Sequence, residues 1–156
     1  MVAATGPQQI GANLDRYDTA AMHPLGSVFE SERGKAYRYV QFLDAVTYAA
    51  GHVVTRGANT ADTWKVTNDR AGGSAQAGHE VIGVAIGVPT QNQFGWVQIS
   101  GEATVLGTYA VGDQLKPHAT TDGAALVSGY TAAAVDFNIF AAGVVANTTA
   151  KLHSLR

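Results

Sequence analysis

Imidazoles, carboxylates and hydroxyls are the side chains that do chemistry, so their spacing comes first. The five histidines are His23, His52, His79, His118 and His153, and no two stand two or four positions apart. Neither a strand-borne pair nor the His-Glu-x-x-His metal motif is therefore present. His79 and Glu80 are adjacent, but neighbouring residues on a strand point to opposite faces. Ser74 lies in AGGSAQAG (71–78), which is not Gly-x-Ser-x-Gly and has neither the lysine of a phosphate loop nor a dinucleotide fingerprint. The acids are dispersed. Asp113 follows Gly112 in VGDQL, and Asp122-Gly123 in ATTDGAAL is a turn signal. The chain has no cysteine, which excludes thiolate nucleophiles, disulfides and cysteine-based zinc sites. No residue stands out as catalytic, and no cofactor or metal is expected.

The remaining composition narrows the partners. Charged residues make up 14% of the 156, the net charge is −2, and Lys and Arg are scattered, so no basic stripe faces nucleic acid. No apolar run reaches the roughly 20 residues of a membrane span. The start, MVAATGPQQIGANLDRYD, lacks the basic and apolar regions of a secretion signal, and a soluble protein made in the cytoplasm is expected.

The elements divide at about residue 35. Residues 1–34 carry Gly6-Pro7, Gly11 and MHPLGS (22–27) and show no sustained period, which predicts an extended N-terminal arm. From 35 to 156 the texture is β. The predicted strands are YRYVQF (37–42), WKV (64–66), EVIGVAIGV (80–88), FGWVQIS (94–100), EATVL (102–106), QLK (114–116), AALVS (124–128), FNIFAAGVV (137–145) and AKLHSLR (150–156). Short strands divided by Gly, Asn, Asp and Thr predict a mainly β fold, a small β-barrel or β-tulip. YTAAAVDF (130–137) is long enough for one helical turn.

An internal repeat organises that domain. Thr-Tyr-Ala-x-Gly occurs at 47–51 and again at 108–112, an interval of 61 residues. VQF (40–42) and VQI (97–99) precede the two copies, and GVA (83–85) and GVV (143–145) follow them. Two similar β units, about 37–88 and 94–156, are expected to share one core. Gly51 and Gly112 supply the positive φ of a turn before a strand, with Asp113, Asp122 and Gly123 as further turn residues. Tyr48 and Tyr109 are expected to bury their rings with the hydroxyl at a wet edge. Trp64, Phe94 and Trp96 belong to the core or to a subunit interface.

QFGWVQISGEATV (93–105), YAVGDQL (109–115), TTDGAAL (120–126) and AAGVVANTTAKLHSLR (141–156), in this order, resemble the capsid-cement or head-decoration proteins of tailed bacteriophages. AVTYAAGHVVT (45–55) and GVAIG (83–87) resemble the first half of that barrel, so the likeness runs from about Ala36 onward. The sequence departs from the family in its 71–78 and 130–135 segments. The resemblance implies a homotrimeric structural protein of the virion, on the outer surface of the expanded capsid, that stabilises the shell against the pressure of packaged DNA. Its partners would be the major capsid protein and itself, and it would not be an enzyme. In such proteins the arm often fastens to the shell. Arg16, Tyr17, Met22, Pro24, Leu25 and Phe29 are then the candidate contacts, since Arg and aromatic residues dominate interfaces. The alternative is that these six fold back on their own barrel. Competing functions are a neck, tail or fibre-base component, or an oligomeric β-barrel enzyme or ligand binder with a site between subunits drawing on His79, Asp113 or His118. A glycan-binding surface would need a platform of aromatics, for which Tyr37 and Tyr39 are the only hint.

Overall fold

The computed structural model describes residues 13–31, 33–43, 47–57, 64–69, 80–118, 120–127 and 148–152, and the backbone of 141–146. Ser74, His79, His153 and the 130–137 stretch lie outside these residues. Among the described residues ten strands follow in order: β1 (Val28–Glu30), β2 (Ala36–Phe42), β3 (Val53–Arg56), β4 (Lys65–Thr67), β5 (Val81–Ala85), β6 (Phe94–Thr104), β7 (Leu115–Pro117), β8 (Ala125–Val127), β9 (Ala141–Ala146) and β10 (Thr149–Leu152). The described residues contain no helix.

Strands β2, β4, β3, β5 and β6 close on themselves, since β6 pairs with both β5 and β2. One pairing in this five-stranded barrel is parallel, Gln41 and Phe42 of β2 against Lys65 and Val66 of β4. The barrel interior holds Val40, Phe42, Tyr48, Val54, Val66, Ile82, Val97 and Ile99, each at most 1% exposed. Full burial of side chains of this size is worth about 1.5–3 kcal/mol each, so this cluster contributes strongly to cohesion, beside a second buried cluster that includes Val53, Val84, Val105, Tyr109, Leu115 and Leu152.

The second half repeats the first in its connections. β3 pairs with β4 and β5, and β7 pairs with β8 and β9. β5 leads into β6, and β9 leads into β10, which pairs with the far end of β6. β6 thus ends the first unit and begins the second. It was expected as two strands, 94–100 and 102–106, but runs through Gly101 (φ +84°) as one. The Gln98 side-chain amide makes this possible by donating to Ser100 O (3.0 Å) and Glu102 O (2.9 Å), which holds the bend.

The two Thr-Tyr-Ala-x-Gly segments adopt the same turn. His52 N–H donates to Ala49 O, and Asp113 N–H donates to Ala110 O, both at 3.1 Å. The third residue of each turn is Gly51 (φ +90°) or Gly112 (φ +95°), a backbone region open to glycine at little cost. The tyrosines also match. Tyr48 donates to Val66 O on β4 (3.3 Å), and Tyr109 donates to Ala125 O on β8 (3.1 Å). Their hydroxyls therefore bond to main chain rather than reaching a wet edge.

A strand with alternating polarity ordinarily leaves one face to solvent. Here β2 is buried on both. Val40 and Phe42 face the barrel interior, while Tyr37 and Tyr39 join Trp96 of β6 in an outer aromatic cluster. Residues 13–31 cover that cluster.

Candidate docking surface

The described part of the 1–34 arm is a strap laid on the barrel. The segment lacks apolar periodicity because it is neither helix nor long strand, and it is held at separate points. Tyr17 is the first. Its ring meets Phe42 edge-on, with centroids 5.9 Å apart, above Gly87 and Gly95. A Cβ at either glycine would fall 2.5 Å from Tyr17, so two glycines make the slot. Burial, with help from Asp15, pushes the phenol pKa up to about 12, and the hydroxyl has no hydrogen-bond partner among the described residues. Next to it Asp18 and Phe94 exchange backbone hydrogen bonds of 3.0 and 2.8 Å.

Further along, Met22 N–H donates to the Tyr39 hydroxyl (3.1 Å), and the His23 ring lies against Tyr39 and Trp96. Gly26 N–H donates to Tyr39 O (2.8 Å), and Trp64 packs so tightly on Gly26 that a Cβ there would sit 2.2 Å from its indole nitrogen. The Arg38 guanidinium stacks over the same indole at 4.2 Å. Leu14, Leu25 and Phe29 pack on the aromatic cluster. The strap ends in β1, paired antiparallel with β2 through Phe29 and Tyr37.

The six candidate contacts divide in two. Tyr17, Leu25 and Phe29 face inward and are spent on the barrel. Arg16, Met22 and Pro24 face outward. The Arg16 side chain is 61% exposed and paired with Asp18 at 2.6 Å, and Met22 is 60% exposed. Val28 is also exposed on the strap, and Val88 is exposed beside Gly87 of the slot. Arg16, Asp18, Met22, His23, Tyr39 and Trp96, with Asn13, line a cleft of about 150 Å³. Its walls are an ion pair, a thioether and rings, which suits contact with another surface. Tyr37 and Tyr39, the only hint of an aromatic platform, cluster with Trp96, but all three are buried beneath the strap and offer no exposed platform.

Elsewhere the polar groups are engaged in holding the chain. His118 Nδ1 accepts N–H bonds from Thr120 (3.2 Å) and Thr121 (3.0 Å) within the β7–β8 hairpin. Asp113 accepts from Ala110 N–H (2.9 Å), which closes its own turn. The β7–β8 hairpin also joins the two units, because Gly123 N–H donates to Asn68 O (2.9 Å) and Val53 N–H to Gly123 O (2.8 Å). There the His52 ring covers Gly123, and its Nδ1 lies 2.9 Å from Asn68 Nδ2. Burial lowers the His52 pKa, and Asp122 opposes that shift. Among the described residues no three His, Cys, Asp or Glu side chains gather where they would hold a metal ion.

Sequence reasoning picked the strap but not its slot, because Gly87 and Gly95 are remote in sequence from Tyr17. Compared with known proteins, the chain matches no protein family, no curated protein and no solved structure.

Proposed function

We propose that the protein is a structural component of a virion that docks on the outer surface of an expanded capsid through its strap and stabilises the shell. One observation carries this reading. The strap is fastened from beneath by Tyr17, Leu25 and Phe29, and it presents Arg16, Met22 and Pro24 outward on a rigid support. Interfaces draw on arginine, methionine and aromatic side chains, and a pre-ordered strap gives up less conformational entropy on docking than a loose arm would. The order of motifs resembling head-decoration proteins points to the same partner, a major capsid protein. No catalytic role enters this reading.

The test is co-sedimentation of the purified chain with undecorated, expanded shells. Saturation at a whole-number ratio to capsid subunits is expected. A chain that stays in the supernatant overturns the reading for that shell. Binding of only a few copies per particle instead favours a neck or tail component.

A further inference from the structure

The β7–β8 hairpin of the second unit is tied to the first unit at Gly123. Its N–H donates to Asn68 O (2.9 Å), and its carbonyl accepts from Val53 N–H (2.8 Å). The His52 ring closes over the same glycine, where a Cβ would fall 2.3 Å from its Cγ. The hairpin brings Leu115 and Ala125 to a core cluster that also draws Val53, Val81 and Val84 from the first unit. Whatever holds Gly123 in place therefore keeps that cluster covered.

The His52 contact works in one protonation state only. The Asn68 side chain is fully buried, and its Nδ2 lies 3.2 Å from Thr47 O and 2.9 Å from His52 Nδ1. A carbonyl oxygen can only accept, so Thr47 O fixes the amide with its nitrogen on that side. The two protons of Nδ2 then go to Thr47 O and His52 Nδ1, which makes His52 the Nε2–H tautomer. Turning the amide over would set Oδ1 against Thr47 O. A second imidazole on the same hairpin is used in the same way. His118 Nδ1 accepts from Thr120 N–H (3.2 Å) and Thr121 N–H (3.0 Å), shaping the hairpin as an Asn or Asp side chain shapes a turn. A proton on either Nδ1 turns an acceptor into a donor that faces other donors.

We propose that His52 and His118 form an acid-released latch: protonation of their Nδ1 atoms frees the β7–β8 hairpin from the first unit while the five-stranded barrel stays closed. The barrel needs neither ring, because its interior is apolar and its closing pairs, β2–β6 and β5–β6, are main-chain ladders. Around the latch the hairpin carries Lys116 and Asp122, Asp69 follows Asn68, and the 47–51 turn has no charged residue. Burial opposes protonation of His52, and the Asp122 carboxylate favours it, with burial the larger effect. The closed hairpin thus binds the His52 proton less readily than an imidazole of ordinary pKa 6.5, and the latch is whole above that pH and weakens below it. A histidine protonated only in the open form raises the open fraction by up to about thirtyfold at about pH 5. The inference does not depend on what the strap binds.

Amide hydrogen exchange by NMR, expressed as protection factors at about pH 7.5 and about pH 5, tests it. Protection at Gly123 and Val53 is expected to fall by about tenfold or more at the lower pH, while amides of β2 and β6 keep theirs. His52→Asn with His118→Asn sets an amide oxygen near each Nδ1 position, an acceptor that takes up no proton in this range, and should abolish the difference. The ring nitrogen shifts of the unaltered chain give a check that needs no variant: both Nδ1 atoms should be unprotonated at the higher pH. A protonated Nδ1 on His52 there overturns the proposal. Equal protection at the two pH values, a uniform loss across hairpin and barrel, or a loss that persists in the double variant overturns it as well.

Discussion

The Tyr17 slot makes a prediction whose sign changes with background. In Gly95→Ala the new methyl falls 2.5 Å from Tyr17 Cδ1 and 2.7 Å from Cε1. Carbon contacts settle at about 3.5–4.0 Å, so the ring must retreat by about 1 Å. Overpacking of this kind costs about 1–3 kcal/mol. Gly95 lies in β6 without a positive φ, so replacing glycine in a strand interior returns about 0.5–1 kcal/mol. A net loss of about 1–2 kcal/mol is expected for Gly95→Ala in the full chain. With Tyr17→Ala the clash is gone, and the same substitution should stabilise by about 0.5–1 kcal/mol. A double-mutant cycle by urea unfolding, followed by tryptophan fluorescence, reads the coupling, and Trp96 under the strap reports on it. Coupling of at least about 1 kcal/mol is expected, while independent sites add to within about 0.5. Additivity would refute the claim that the two glycines exist to seat Tyr17. Hydrogen exchange at the paired Asp18 and Phe94 amides gives a second readout: Gly95→Ala should speed both, while amides deep in β3 and β5 keep their protection.

Three further predictions follow from the same contacts. Gly123→Ala places a methyl 2.3 Å from the His52 ring at a φ of +64°, and a loss of about 2 kcal/mol or more is expected in urea unfolding, with only the steric part relieved by His52→Ala. The Tyr17 phenol titrates near 12 when folded and near 10 when unfolded, so the unfolded chain loses its proton first. The Tyr17 contribution to stability should therefore be constant below about pH 10 and fall toward pH 12, and Tyr17→Phe should remove that share of the loss without destabilising at neutral pH, since the hydroxyl has no partner among the described residues. His52 runs the other way. Its folded pKa lies below 6.5, so the unfolded chain binds the proton first as the pH falls. Stability contributed by neutral His52 is whole above about pH 6.5 and declines below it, and the urea midpoint of His52→Gln should depend less on pH across that range.

How much of this was legible in the sequence depends on whether the partners are local. The strand pattern was readable, because Val and Ile runs between glycines carry a local signal, and the order of turns gave the barrel. β1 and β3 were not read, since VFE lies within the segment taken as an extended arm and VVTR follows directly on the turn at Gly51. The turns at Gly51 and Gly112 were readable from glycine alone. That Gly51 is buried against residues 104–106 while Gly112 is exposed was not, because the difference lies in where the end of β6 packs. YRYVQF alternates, a pattern that ordinarily leaves one face to solvent, but the strap covers that face. The six arm residues were chosen by type, which finds side chains suited to contact but cannot say which way they point. Phe29 turns inward because the outer face of β2 and β6 is aromatic, and Tyr17 because Gly87 and Gly95 leave a slot over Phe42; both are properties of strands brought together by the fold.

The most direct test of the account is shell binding by a strap variant. Arg16→Glu with Met22→Glu changes two outward side chains, leaves Tyr17, Leu25 and Phe29 seated, and should lower the urea midpoint only slightly, through loss of the exposed Arg16–Asp18 pair. Co-sedimentation with expanded shells is predicted to show this variant binding about tenfold or more weakly than the full chain, as expected when central contacts of an interface are lost. Equal binding by the two proteins would contradict docking through the strap.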